Sequence, residues 1–337
     1  MRLIRGLHNL NASLPVEFDG CVATIGNFDG LHLGHRRILD SLQQASGEHK
    51  KPTLVMMFEP QPKEYFAPDL APPRLAGFRD KYQDLRDAGI DYLLCLPFNE
   101  SLRSMSAAQF IQTVLIDGIK VRHLIVGDDF RFGCDRSGDY EALKTAGEVS
   151  GFDVTDTPTH EIGDKRVSST RVRKALANDN LTRAAELLGR PYQMSGRVAY
   201  GRQLGRTLDT PTANVLVKRS QLPMKGVYAV HIRIAETGEE HIGVANLGVK
   251  PTISGTPEPS LEVHVFGFDG NLYGQHLNVS FMHKIRDEMK FDGLDALNEA
   301  GLFPRKNGSW MSIFKNTAIQ RTGWINHPSQ EIIGLGK

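Results

Sequence analysis

Cysteine is scarce. The chain has 337 residues and only three cysteines, Cys21, Cys95 and Cys134. They are far apart, odd in number and not in Cys-x-x-Cys spacing, so neither a disulfide framework nor a zinc site is indicated; reduced, buried thiols are expected. Excess charge is missing too. Forty Lys and Arg against 39 Asp and Glu leave a formal net charge of +1, so there is no electrostatic footprint for nucleic acid or an anionic membrane. No apolar run approaches the roughly 20 residues of a membrane helix. The opening "MRLIRGLHNLNASL" lacks the apolar centre of a secretory signal, and the cytoplasm is the expected compartment. There is no GxxxxGK[ST] phosphate loop, no convincing repeat and no low-complexity tract.

What is present is ordinary in bulk. Hydrophobic residues make up 40% and charged residues 23%, as in soluble globular proteins. The length predicts two domains. From Cys21 to about Pro158 short apolar runs, "CVATIGNF", "TLVMMFE", "DYLLCLPF", "HLIVGDDF" and "FDVTDTP", alternate with helical periods, "HRRILDSLQQA", "FRDKYQDLRDAG", "SAAQFIQTVLIDG" and "DYEALKTAGEVSG". This pattern predicts an α/β, Rossmann-like parallel sheet covered on both faces. Such sheets bind ligands beyond the strand C-termini. The first and fourth runs both end in polar, glycine-containing turns, "GNFDG" and "GDDFRFG", which predicts one shared crevice. After the helical segment "STRVRKALANDNLTRAAELLGRPY" the pattern changes, and a boundary falls near Arg190. From about Ser195 the runs "SGRVAYG", "TANVLVK", "GVYAVHIRI", "HIGVANLG", "LEVHVFGF" and "HLNVSFMH" are short, β-rich and punctuated by Gly, Pro and Asn. They predict a small antiparallel barrel or sandwich.

The densest chemical signal is "TIGNFDGLHLGHRRIL", from Thr24 to Leu39. A helix N-terminus gathers unpaired N–H groups and the positive end of the macrodipole, and so attracts phosphate. Gly30 and Gly34 allow close approach of the backbone. His32 and His35, three apart, present both imidazoles to one side of the first turn. Two donors there suit stabilisation of charge on a phosphoryl group. H-x-x-H alone is more often a turn with polar caps; the full strand–GNFDG–HLGH–helix string is what points to function. No third ligand for zinc is suggested nearby.

At these residues the sequence resembles the HxGH nucleotidylyltransferases, and more narrowly the bacterial bifunctional riboflavin kinase/FMN adenylyltransferase (FAD synthetase) family. "GNFDGLHLGH", "VGDDFRFG" (Val126 to Gly133) and "RVSSTRVR" (Arg166 to Arg173) resemble its adenylyltransferase motifs, in order. "PTAN" (Pro211 to Asn214), "GVYAV" and "LEVHVF" followed by "DGNLYG" resemble its kinase module. The resemblance runs from the N-terminus to about Leu297. It implies an adenylyltransferase domain over 1–190, a β-barrel kinase domain over 191–298, and an atypical tail over 299–337. It implies phosphorylation of riboflavin to FMN and adenylylation of FMN to FAD with release of pyrophosphate. Riboflavin, FMN and ATP would be the small-molecule partners and Mg²⁺ would accompany ATP. FMN and FAD would be substrate and product, not prosthetic groups. A monomer or weak homo-oligomer is expected, without nucleic-acid or membrane partners.

The resemblance also assigns residues. Gly26, Asn27, Phe28, Asp29, Gly30 and Gly34 would shape the nucleotide turn, and His32 and His35 would hold ATP phosphates. Ser168, Ser169 and Thr170 would bind phosphate at a helix start, although a "SST" string alone is more often a plain N-cap. Arg173 would grip the departing pyrophosphate. Asp129 and Arg131 would form a flavin or nucleotide ledge; a salt-bridged turn is the plainer reading. In the kinase, Glu262 would be the base, although an acid alternating with Leu261, Val263 and Val265 is more often the wet face of a strand. Thr212 and Asn214 share one face of an extended segment, and their oxygens suit magnesium, which takes few protein ligands. Gly205 and Arg286 complete the implied nucleotide and flavin contacts. Two features depart from the family. Asp209 and Thr210 stand where it has glycine and an aromatic, which sets a negative charge beside the implied triphosphate. The tail carries Gly301, Pro304, Gly308 and Gly323 and no sustained helical period. An adenylyltransferase with a barrel that only binds flavin is the second reading and a nucleic-acid-binding module the third; a tRNA synthetase is disfavoured by the lack of a KMSKS-like partner.

Overall fold

The computed structural model describes residues 1–134, 136–199, 212–250 and 258–288. Gly205, Asp209, Thr210 and the 299–337 tail lie outside the described residues. The chain divides into two compact units, Met1–Met194 with Lys218–Met224, and Ser195–Val217 with the chain from Lys225 onward.

The first unit is built on six strands: β1 (Arg2–Arg5), β2 (Cys21–Ile25), β3 (Thr53–Glu59), β4 (Tyr92–Pro97), β5 (Val121–Gly127) and β6 (Asp153–Thr157). Their order is β1-β4-β3-β2-β5-β6, and every pairing is parallel. Alternate residues enter two separate cores, as the strand period of two requires. Cys21, Ala23, Ile25, Leu54 and Met56 pack with Phe110, Val114, Leu115 and Leu143 on one face. Val22, Val55 and Met57 pack with Leu39, Leu42 and Leu85 on the other. Both faces being dry, the inner strands carry continuous apolar runs. The edges differ. In β1 only Ile4 is buried, and β6 is largely exposed. Five of these strands are the five apolar runs, and β1 has no such run. Buried thiols are expected for all three cysteines, whereas Cys134 is exposed in the turn after β5.

The strand order places the site. From β2 the chain moves through β3 to β4 on one side, then returns to β5 and β6 on the other. The order therefore reverses at the β2/β5 pair, where a crevice opens beyond the carboxyl ends. The turns at Gly26–Gly30 and Gly127–Gly133 both leave from there.

A closed barrel in the order β10-β11-β8-β7-β12-β9 belongs to the second unit except for the first three residues of β7. Its strands are β7 (Tyr192–Ala199), β8 (Ala213–Val215), β9 (Gly226–Ile234), β10 (Glu240–Lys250), β11 (Glu258–Val265) and β12 (His276–Arg286). Closure removes the open edges of a small sheet. Leu261, Val263 and Val265 of β11 and Leu277, Val279 and Phe281 of β12 are buried, with polar residues between them. Tyr228 meets Phe281 edge-on at 5.3 Å.

Candidate active site

The chain leaves β2 through a turn whose backbone suits few residues. Phe28 and Leu31 have φ of 45° and 42°, and Gly30 has φ of 85°. Non-glycine residues in that region store strain that surrounding structure must hold. Phe28 is buried beneath the His35 ring, with centroids 5.0 Å apart. Gly30 is fixed twice over, because an added Cβ would also lie 3.0 Å from Leu75. Gly30→Ala is expected to destabilise the chain by about 1–3 kcal/mol, measured as a lowered urea midpoint. Gly34 serves close packing: a Cβ there would meet the His32 ring at 3.2 Å and the Val167 carbonyl at 3.4 Å.

His32 is the N-cap of the Leu33–His49 helix, its Nδ1 accepting from the His35 backbone N–H at 3.2 Å. With Nδ1 an acceptor, the proton of the neutral ring is assigned to Nε2, which is left as a donor. The two imidazoles stack, centroids 3.7 Å apart and 10° from parallel. Burial depresses both pKa values, that of His32 from 6.5 to about 4 and that of His35 well below 6.5. Both rings are therefore neutral at pH 7. His35 Nδ1 and Asn27 Oδ1 are buried with no hydrogen-bond partner among the described residues, an arrangement that a bound polar ligand would satisfy.

Three cations surround these rings. Arg166 donates to Asp129 at 2.8 Å and lies 3.2 Å from Asp128, while Asp128 accepts from the Thr159 hydroxyl at 2.5 Å. Arg166 thus ties the turn after β5 to the segment before the Ser169–Ala177 helix. Arg131 pairs instead with Asp139, the N-cap of the Tyr140–Ser150 helix. Arg173 is committed inward: Nη2 donates to Asp29 Oδ2 at 2.5 Å and Nε to the Pro73 carbonyl at 2.7 Å. Asp29 is 3% exposed, and its carboxylate accepts the backbone N–H groups of Leu75 and Ala76 at 3.0–3.1 Å. It clamps the loop before the Phe78–Asp87 helix. Ser169 donates to the Asp29 carbonyl at 2.9 Å. Ser168 caps its helix by accepting from the Arg171 N–H, and Thr170 is exposed in the first turn.

Beside Arg166 and Arg173, the remaining cation acting on the rings is a lysine that the sequence does not single out. Lys81, on the Phe78–Asp87 helix, is 1% exposed and its Nζ has no hydrogen-bond partner among the described residues. Burial lowers its pKa, while Asp29 and the acids Glu59 and Glu64 favour its charge; its field in turn disfavours protonation of His35. In sequence it is one lysine of a charged helix, with no mark of its burial.

In the second unit Glu262 of β11 stands opposite Asn214 of β8 and Asn246 of β10. The row is polar where its neighbours along β11 point inward. Lys250 fills it: Nζ donates to Asn214 Oδ1 at 2.9 Å and lies 2.5 Å from Glu262 Oε1. Asn246 Oδ1 is buried without a hydrogen-bond partner among the described residues. An ammonium held by two oxygens beside an unused third marks the row as a cation-attracting surface. Thr212 is half-buried just before β8. Arg286 ends β12 opposite Val227 and donates to the Asp287 carbonyl at 2.8 Å; burial lowers its pKa. The structure brings Asn214 and Glu262 together; Lys250 and Asn246 join them unforeseen.

Among the described residues no helix is long and apolar enough to cross a membrane. Residues 15–171 match the family model for FAD synthetase and residues 188–301 that for riboflavin kinase. The bifunctional riboflavin kinase/FMN adenylyltransferase of Pseudomonas fluorescens is 50% identical over 300 residues, 89% of this chain and 94% of that protein. The protein of the same name from Escherichia coli (strain K12) is 49% identical over 298 residues, 88% and 93% of the two. A solved structure described as a macrolide-efflux protein from Streptococcus pneumoniae is 29% identical, with a TM-score of 0.73 over 90% of this chain and 97% of its own. With the histidine turn inside the first matched region and the Asn214–Glu262 row inside the second, the chain belongs to the bifunctional riboflavin kinase/FMN adenylyltransferase family.

Proposed function

We propose that the two reactions divide between the units: the second phosphorylates riboflavin with ATP, and the first joins the AMP of another ATP to the resulting FMN. The observation that carries this reading is the pair of stacked, neutral histidines at a helix N-terminus, with buried polar atoms left unsatisfied beside them.

Adenylyl transfer is an in-line displacement at the α-phosphorus, in which positioning and charge neutralisation supply most of the catalysis. The FMN phosphate is itself the nucleophile, so no protein base is required. His32 Nε2–H and the His35 ring serve as neutral donors to phosphate oxygens. The helix N-terminus, Arg166 and Lys81 supply positive potential for the triphosphate and departing pyrophosphate. Arg173 acts first as a positioning residue that holds Asp29 and the Phe28–Gly30 turn. Asp129, Ser168 and Thr170 line the approach.

In the kinase, Glu262 accepts the proton of the ribityl hydroxyl as that oxygen attacks the γ-phosphorus. Thr212, Asn214 and Asn246 offer the hard oxygen donors that magnesium prefers, and the Lys250 ammonium on Asn214 supports a cation's fit there. Magnesium, when bound with ATP, would neutralise phosphate charge. The near-balanced charge of the chain favours small-molecule partners alone, and a cytoplasmic monomer or weak homo-oligomer is the working form.

Two measurements test this. Lys81→Met removes a buried amine that has no hydrogen-bond partner among the described residues, and with it part of the phosphate field. It is expected to slow FAD formation about tenfold or more while raising the thermal midpoint, the gain amounting to about 1–3 kcal/mol. Loss of both activity and stability would mean that Lys81 is only structural. The fragment from Ser195 onward is expected to phosphorylate riboflavin and to make no FAD. A folded but inert fragment would contradict the division.

A further inference from the structure

Away from both sites, three segments distant in sequence converge at the amino-terminal end of the parallel sheet. His49 closes the Leu33–His49 helix, His123 lies near the start of β5, and Asp153 opens β6 directly opposite His123. His49 Nε2 lies 3.0 Å from His123 Nδ1 and 3.7 Å from Asp153 Oδ2. One ligand atom from each falls within 4.8 Å of the others. We infer that these residues form a binding site for one divalent transition-metal ion of the zinc type, held by His49 Nε2, His123 Nδ1 and an Asp153 carboxylate oxygen, with a further position open to solvent.

The distances fit that ion. Zinc takes imidazole nitrogen and carboxylate oxygen at about 2.0–2.2 Å in tetrahedral geometry, which sets neighbouring ligand atoms about 3.3 Å apart. The observed 3.0 and 3.7 Å from His49 bracket that spacing, and the remaining pair lies within 4.8 Å, so side-chain adjustment without a change of backbone closes the set. The donor set also selects. Two imidazoles with one carboxylate suit zinc, nickel or copper, whereas magnesium and calcium prefer all-oxygen shells.

Two independent features support the assignment. His123 Nε2 is 2.5 Å from the Thr155 hydroxyl, two residues beyond Asp153 on the same strand. With Nε2–H donating to that oxygen, the Nδ1 lone pair faces His49. Such an outer partner fixes ring orientation and tautomer in metal-ligating histidines. In the metal-free chain His49 Nε2–H supplies the hydrogen bond to His123 Nδ1; on coordination the His49 ring carries its proton on Nδ1 instead, so neither ring changes charge. Second, His49 sits in the last turn of a 17-residue helix, where the negative end of the macrodipole favours a cation. Partial exposure of His49 and high exposure of Asp153 give the ion a route in. That helix begins at the His32 cap, about 25 Å away, so the site is separate from the adenylyltransferase crevice. A bound ion would staple the far end of the helix that carries His32 and His35 to β5 and β6.

Zinc titration of the full-length, chelator-stripped chain tests this, followed by calorimetry and by the visible spectrum of Co²⁺ in its place. The wild type is expected to show four-coordinate cobalt bands and to bind one more equivalent of zinc than His49→Gln or His123→Gln. Zinc should raise the thermal midpoint of the wild type and not of those variants. Thr155→Val should keep the equivalent but bind it about 10–100-fold more weakly. FAD formation by His49→Gln should be unchanged, and magnesium should give no corresponding signal. If His123→Gln fails to fold, His49→Gln and Asp153→Asn, the latter at an exposed side chain, decide the matter. Unchanged stoichiometry and affinity in those variants, or six-coordinate cobalt in the wild type, would overturn the site.

Discussion

Replacing His35 or His32 by alanine is expected to slow FAD formation by about 10²–10³-fold, the scale of losing one preorganised charge-stabilising donor. FMN formation from riboflavin should stay at the wild-type rate. The effect is large because the rings are neutral before substrate arrives. Burial holds the His32 pKa at about 4, so each ring meets the phosphates as a fixed dipole and no proton must first be taken up. The same burial has a thermodynamic signature. The His32 pKa is lower in the folded chain than its ordinary 6.5. The unfolded chain therefore takes up the proton first, and stability is lost as pH falls from about 6.5 towards 4. Above that window, between pH 7 and 8, the rate of FAD formation should show no titration from these histidines. Denaturation midpoints across pH 4–8 for the wild type and His32→Asn check the first point, since the variant should lose part of the acid sensitivity.

Glu262→Gln is expected to slow riboflavin phosphorylation by about 10²–10⁴-fold, the range for loss of a positioned general base. FAD formation from supplied FMN should be intact. Glu262 stands between Asn214 and Asn246 across three strands of the barrel, on the side of β11 opposite the buried Leu261 and Val263. Its carboxylate pairs with the Lys250 ammonium. Glutamine keeps the shape and a hydrogen-bonding oxygen but cannot take the hydroxyl proton. The predicted loss is therefore in kcat, with the KM for riboflavin little changed. A rise in KM alone would make Glu262 a binding residue.

The parallel sheet is legible in the sequence because β2, β3, β4 and the later half of β5 are dry on both faces and so carry apolar runs. β1 is not legible, since an edge strand that buries only Ile4 between two arginines has no such run. The six barrel strands are legible from their alternation, yet the return of Lys218–Met224 to the first unit leaves no trace in composition. At the site, the histidines stand out because glycines and turn formers surround them. The roles of Asp29 and Arg173 do not. An acid in a glycine turn and an arginine on a basic helix both suggest ligand contacts, and only the fold shows them closing on each other. Lys81 and Lys250 escape notice for a related reason: whether a lysine is buried or aimed at an acid depends on elements distant in sequence.

The most direct test of the two-site account is a time course with riboflavin, ATP and Mg²⁺ that resolves riboflavin, FMN and FAD for the wild type, His35→Ala and Glu262→Gln. The wild type should form FMN and then FAD. His35→Ala should accumulate FMN, and Glu262→Gln should make FAD only when FMN is supplied. If either folded variant lost both reactions together, a division of the chemistry between the two units would be contradicted.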